Sequence, residues 1–215
     1  MRDAAEKSHS KASLTEQAYE ALKWQILSLE IEPGSYLNEL DLCVRLGFGR
    51  APVHHALQRL MHDQLIEILP RKGAIVRSWS PRDVNELVEA RTPIEVTVVK
   101  LAADRAEAAA SKRLKRRLAD GPALIAARDR EGLIRLDHEF HLGLAELSGN
   151  RVLIDVVGRL HQQSTILWFL QISNDATYRL VQKQHEKILG AVMARDGAGA
   201  QKAMREHLES FQLRS

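Results

Sequence analysis

NELDLCVRLGFGRAPVHHALQRLMH, residues 38–62, is the stretch that decides the fold. It reads as two short helices broken at Gly47-Phe48-Gly49. Asn38 suits the first helix as a cap, because its side-chain oxygen can accept an orphan backbone N–H, and Glu39 and Asp41 put negative charge in the first turn. Leu40, Cys43, Val44 and Leu46 form its expected apolar stripe. In the second helix Gly49 can cap, and Pro52 falls in the first turn, where a missing N–H costs little. Val53, Ala56, Leu57 and Leu60 recur at helical spacing, and the other face carries Arg50, His54 and Arg59, with Gln58 and His62 alongside. Two short helices joined by a glycine-containing turn, the second with a basic-leaning outer face, form the pattern of a DNA-reading helix-turn-helix. An ordinary αα-hairpin shares that signature, so the flanking sequence has to separate the two.

Upstream, Leu14, Ala18, Ala21, Leu22, Gln25, Ile26 and Leu29 fall near one helical face, and Glu32-Pro33-Gly34 ends that helix. Downstream, residues 65–69 are rich enough in β-branched side chains for a strand; Pro70-Arg71-Lys72-Gly73 makes a turn, and residues 74–77 form a second strand. Three helices and a hairpin with a basic tip make a winged helix-turn-helix over residues 13–78, with the helix pair at 38–62 and the wing at 65–77. An αα-hairpin has no use for a wing. Residues 1–12 are small and polar and read as a disordered tail.

Ser78-Trp79-Ser80-Pro81 is the expected boundary. Beyond it, helical patterns run near 81–90, 93–109, 111–128, 130–148, 151–172, 175–195 and 198–213, with breakers such as Thr92-Pro93, Gly121-Pro122 and Ser148-Gly149-Asn150. The fold class is therefore mostly α: a winged helix-turn-helix followed by an all-α bundle of six or seven helices over 81–213.

Composition limits the function classes. At 215 residues the chain has room for one large domain or two modest ones, and 45% hydrophobic content supports real cores. The single cysteine, Cys43, excludes an internal disulfide framework, and no run approaches the length of a membrane span, so the expected setting is cytoplasmic. The net charge of +3 says little, because residues 1–80 hold ten Lys/Arg against ten Asp/Glu. Locally the balance differs: between Arg45 and Arg77 six basic residues face only Asp63 and Glu67. That is where phosphate would be neutralised. The run Lys112-Arg113-x-Lys115-Arg116-Arg117 reads as a solvated helix face.

The helical region also holds Asp137-His138-Glu139-Phe140-His141. Asp137 and His141, at i and i+4, share a helix face, while Leu136, Phe140 and Leu144 point to the core side. His185 lies mid-helix and His207 follows 22 residues later. One carboxylate and three imidazoles can ligate Zn²⁺ or a similar borderline cation, although single histidines on helices are more often structural. His161, on an apolar helix, reads as core or pocket lining rather than a ligand, and Arg91 with Glu95 as an i, i+4 surface pair.

Several stretches in order carry a resemblance over residues 14–77: Ala18-Tyr19-Glu20, Pro33-Gly34, Leu37-Asn38-Glu39, Leu46-Gly47, Arg50-x-Pro52-Val53, Ala56-Leu57-x-Arg59-Leu60 and Pro70-Arg71-x-Gly73. They resemble the winged helix of GntR-family transcription regulators, and the remainder resembles the FCD ligand-binding domain of the FadR subgroup. The resemblance implies a homodimeric regulator, a repressor in its usual form, that reads double-stranded operator DNA and responds to a small organic acid. It implies DNA contacts by Arg50, His54 and Arg59 and by Arg71, Lys72 and Gly73 at the wing. It also implies a divalent metal, Zn with Ni or Mn as alternatives, on Asp137, His141, His185 and His207, with Arg91 meeting the effector's carboxylate. Two departures stand out. Gly49 replaces the usual capping Ser or Thr, and His54 replaces an Arg, so it cannot offer a bidentate fork to guanine.

Two other function classes compete. A metal-dependent hydrolase could use the same ligands, but His138-Glu139-x-His141 spaces its histidines three apart, where the zincin motif needs four, and the chain lacks a nucleophile elbow or phosphate-cradling glycine loop. An effector-independent DNA-binding protein would leave the His/Asp pattern idle. The expectation is a regulator and not an enzyme.

Overall fold

A computed structural model describes residues 13–69, 73–171 and 174–212, giving the backbone alone over 165–171. The chain divides between Arg77 and Ser78 into two compact units.

In the first unit, α1 (Leu14–Leu27) is capped by Ser13, whose side chain accepts from Glu16 N, and it buries Ala18, Tyr19, Leu22, Ile26 and Leu27. The helix pair follows as α2 (Glu39–Leu46) and α3 (Arg50–His62). Asn38 Oδ1 accepts from Leu40 N at 2.9 Å, as its side chain allows, and Gly47 ends α2 at φ +70°, where a Cβ would be strained. Val53, Ala56, Leu57 and Leu60 are buried along α3. The stripe expected on α2 is wrong in phase: Leu42 is its buried residue, whereas Leu40 and Val44 are 62% and 86% exposed. The wing is β2 (Ile66–Leu69) antiparallel to β3 (Gly73–Val76), with Ile66 opposite Val76 and Leu69 opposite Gly73. A short β1 (Tyr36–Leu37) pairs with the other edge of β3, giving the order β1-β3-β2. Gly73 enters β3 at φ +83°. The expected tail at 1–12 and the wing residues Arg71 and Lys72 lie outside the described residues.

The second unit contains α4 (Pro81–Arg105), α5 (Ala108–Leu118), α6 (Gly121–Ala127), α7 (Arg130–Leu147), α8 (Arg151–Gln171), α9 (Asp175–Met193) and α10 (Gly197–Glu209). Ser80 and Asp83 form a capping box that starts α4 with Pro81 at its first turn. The helix runs on through Pro93, where the sequence suggested a break. Pro93 lies on the exposed face, as does Glu89, whose carbonyl would have accepted the missing N–H and can be hydrated instead. Conversely, Gly121-Pro122 divides the segment expected at 111–128 into α5 and α6. α4 is central: it packs against α7, α8, α9 and α10. Val88, Val96, Val99, Phe140, Leu144, Ile188, Leu189 and Met204 belong to one core cluster. Asn150 caps α8, accepting from Val152 N and Leu153 N.

Candidate metal centre and DNA-reading face

α3 buries one face in the first unit and leaves Arg50, His54 and His55 exposed on the other. Arg50 and His54 are not loose. Glu39, at the start of α2, accepts from Arg50 Nε at 2.9 Å with one oxygen and lies 3.1 Å from His54 Nδ1 with the other. Hydrogen bonding from Arg50, then from His54, holds the Glu39 carboxyl below its ordinary range, so it is a fixed anion. Arg59 has a different setting. Its guanidinium sits 3.7 Å from the Tyr19 ring centroid and donates to Glu16 at 2.5 Å, while Tyr19 Oη donates to Asp63 at 2.5 Å. This network joins α1 to α3. Sequence reasoning grouped Arg59 with Arg50; the structure turns it toward α1. Gly73 is placed at the turn end of the wing, opposite Leu69, and lines a groove with His54, Leu57 and Gln58.

The second unit brings together the four residues spaced along α7, α9 and α10. Asp137, His141, His185 and His207 are 6%, 1%, 2% and 1% exposed, which water-seeking side chains adopt only with partners. His185 Nε2 lies 3.3 Å from His207 Nε2 and 3.5 Å from Asp137 Oδ1, and His141 Nε2 lies 3.9 Å from the same oxygen. Neighbouring donor atoms on one ion with bonds near 2.0–2.1 Å are about 3.0 to 3.3 Å apart, from octahedral to tetrahedral geometry, so a small inward shift of these side chains suits one cation.

The ring orientations are set from outside. His141 Nδ1–H donates to Glu95 Oε2 at 2.5 Å, and His207 Nδ1–H donates to Gln184 Oε1 at 2.9 Å. Each bond leaves the Nε2 lone pair facing the centre. Phe140 stacks on His185 at 4.1 Å between centroids. Burial pushes the imidazoles down: His207 to about 4, His141 and His185 well below 6.5, the last two also repelled by neighbouring imidazoles. They are neutral near pH 7, the form that ligates a metal. Asp137 Oδ1 is buried without a hydrogen-bond partner in the described structure, as is Arg91 Nη2. A carboxylate oxygen and imidazole lone pairs converging in a dry interior fit a cation. They do not fit each other.

Arg91 and Glu95 form their i, i+4 pair at 2.7 Å, but inside the protein at 7% and 2% exposure, not on the surface. Glu95 is the member of this buried cluster that sequence reasoning placed on the surface. The signal was available: Arg91 and Glu95 fall on the α4 stripe otherwise filled by Val84, Val88, Val98, Val99 and Ala102. His161 on α8, expected as core or pocket lining, is 1% exposed, with Nε2 3.0 Å from Asp137 Oδ2.

Residues 14–76 match the model of the bacterial regulatory proteins of the gntR family, and residues 86–210 match the FCD domain. The chain is an FCD-domain member of the GntR family. It is 26% identical over 198 residues to the HTH-type transcriptional repressor RspR of Escherichia coli K12, covering 92% of this chain and 87% of RspR. It is 27% identical over 193 residues to the HTH-type transcriptional regulator YdhC of Bacillus subtilis, covering 89% of this chain and 86% of YdhC. Its fold is shared with E. coli McbR/YncC, at TM-score 0.81 and 23% identity, covering 93% of this chain and 95% of that one. As a GntR-family member the chain is a DNA-binding transcriptional regulator and not an enzyme. FCD domains commonly bind metal. Among the described residues, no helix is long and apolar enough to cross a membrane.

Proposed function

We propose that this GntR-family chain is a metal-loaded homodimeric repressor, acting in the cytoplasm, whose hold on operator DNA is released by a small organic acid. The observation that carries the reading is the pair of buried, hydrogen-bond-free polar atoms in the helical unit, Asp137 Oδ1 and Arg91 Nη2. The first lies 3.5 Å from His185 Nε2 and 3.9 Å from His141 Nε2, and calls for a cation. The second is a buried guanidinium N–H, the group that pairs with a carboxylate.

In this reading Asp137, His141, His185 and His207 hold a divalent ion, Zn²⁺ with Ni²⁺ or Mn²⁺ as alternatives. The ion supplies a Lewis-acidic site for one end of the anionic effector, and Arg91 meets its carboxylate. Glu95 couples the two, because one carboxyl orients both Arg91 and His141. An effector that draws on Arg91 therefore disturbs a contact to the metal-binding helix α7. Arg50 and His54 on α3, with Arg59, and Arg71, Lys72 and Gly73 at the wing, form the DNA contacts, Arg59 after release from Glu16. Two reader units address half-sites of a short palindrome, and the effector changes their spacing.

Native mass spectrometry of the purified protein with elemental analysis, combined with operator gel shifts before and after chelator treatment, tests this. The expected result is a dimer carrying one metal per chain whose response to small carboxylates disappears on chelation. A monomer without metal would overturn it.

A further inference from the structure

The four-ligand set leaves His161 unexplained. Its side chain comes from α8, which contributes no ligand to that set, yet it is fully buried and its Nε2 lies 3.0 Å from Asp137 Oδ2. Asp137, His141 and His161 place one donor atom each within 4.8 Å of one another, as closely as His141, His185 and His207 do. The two triads share His141 and adjoin through Asp137, whose Oδ1 lies 3.5 Å from His185 Nε2. The His161 ring lies 4.7 Å from the His141 ring and is steadied from the far side, where His138 Nδ1 lies 3.3 Å from His161 Nδ1. That contact engages Nδ1 and leaves Nε2 turned to the acid, the orientation that His141 and His207 reach through Glu95 and Gln184.

Resting on the metal reading above, we propose that His161 is a fifth protein donor to the ion, tying α8 to the same centre as α7, α9 and α10. Two consequences follow from coordination chemistry. Four imidazoles and one carboxylate favour the nitrogen-preferring end of the first-row series, Ni²⁺, Zn²⁺ or Co²⁺, over Mn²⁺. Five protein donors on a six-coordinate ion also leave one open position. The effector is then a small carboxylate bound to the metal through a single oxygen, and chelating acids such as oxalate are disfavoured because they need two adjacent positions.

The competing role for His161 is to orient Asp137 by donating a hydrogen bond, without touching the ion. The test uses the full-length protein loaded with Co²⁺, whose paramagnetism shifts the proton signals of every imidazole bound to it. The wild type is expected to show four such imidazole sets. His161→Gln, which keeps a side-chain donor within reach of Asp137, is expected to show three and to bind Co²⁺ about 10- to 100-fold more weakly. Oxalate titrated into the Co²⁺ proteins is expected to change the visible bands of His161→Gln at concentrations at least about tenfold lower than in the wild type. A His161→Ala variant, with folding checked by circular dichroism, repeats the comparison without the amide. Three shifted imidazole sets in the wild type, or the same spectrum and Co²⁺ affinity in both variants, would overturn the inference while leaving the four-ligand site standing. Failure of the wild type to bind Co²⁺ would remove both readings.

Discussion

Glu95→Gln is the sharpest perturbation of the helical unit. The native carboxylate is 2% exposed and accepts two charge-assisted contacts, from Arg91 Nε at 2.7 Å and from His141 Nδ1 at 2.5 Å. Glutamine keeps the volume but has one accepting atom, so one donor loses its partner, and the buried guanidinium loses its counter-charge. Neutralising one member of a buried pair strands the other, which costs about 3 kcal/mol. For a helical unit of this size that lowers the melting temperature by about 10 °C. The second effect is on the metal: His141 loses the contact that fixes its tautomer and ring plane, which lowers affinity about 10- to 100-fold. Thermal unfolding of the chelator-treated protein reads the first effect, and competition for Zn²⁺ against a chromogenic chelator reads the second. Arg91→Met added to Glu95→Gln separates them. It removes the stranded charge and should recover most of the stability, while metal affinity stays low because His141 is still unsupported. A single variant that melts within about 2 °C of the parent would refute the reasoning, since a shift that small corresponds to no more than about 1 kcal/mol. So would a double variant that regains metal affinity.

The metal-stripped protein should lose stability on acidification. Its buried imidazoles titrate below the unfolded value of 6.5, His207 at about 4 and His161 at about 3. Between those values and 6.5 the unfolded chain binds more protons, so stability falls as pH drops, by about 1.4 kcal/mol per pH unit for each imidazole kept neutral. Urea midpoints at pH 7 and pH 5 check this; a flat or rising trend refutes it. Tyr19→Phe removes the hydroxyl that donates to Asp63 at 2.5 Å, at a cost of about 1.5 kcal/mol, measured by denaturant unfolding, with operator affinity at saturation of folding unchanged. His54→Arg should raise operator affinity about tenfold or more, because the guanidinium offers guanine a bidentate fork, measured by fluorescence anisotropy. Equal affinity would show that position 54 does not face the bases.

Much of the reader unit was legible because its signals are local. The Asn38 cap acts within three residues, and the four buried positions of α3 span only two turns, so neither needs knowledge of distant chain. The phase of α2 was not legible. With eight residues, the alternatives 40-43-44 and 39-42-43-46 match a helical repeat equally well, and tertiary contact with the rest of the unit chooses the second, burying Leu42. Pro93 misled for a related reason. A proline inside a helix costs a hydrogen bond and a clash with the carbonyl four residues back; the first cost is smaller where water reaches that carbonyl, which depends on which face of α4 is outside.

The candidate metal site was legible to the extent that its geometry is encoded in sequence separations. An i, i+4 step fixes Asp137 beside His141 on any helix. His185 and His207 lie eleven residues on either side of Asp196, where a short turn folds α10 back on α9, so equal arm lengths bring the two rings level. Glu95 and His161 belong to the same cluster without any such separation. Their approach to α7 depends on how α4 and α8 are rotated and offset in the bundle, which is set by the volumes of the whole core. Two polar residues inside an otherwise apolar helical stripe are the one trace this leaves, at Arg91 and Glu95. Burying them without compensation would cost more than a core of this size can absorb. Their mutual pair, with the contact from His141, satisfies Glu95 and leaves Arg91 Nη2 without a partner, the deficit on which the proposed anionic effector rests.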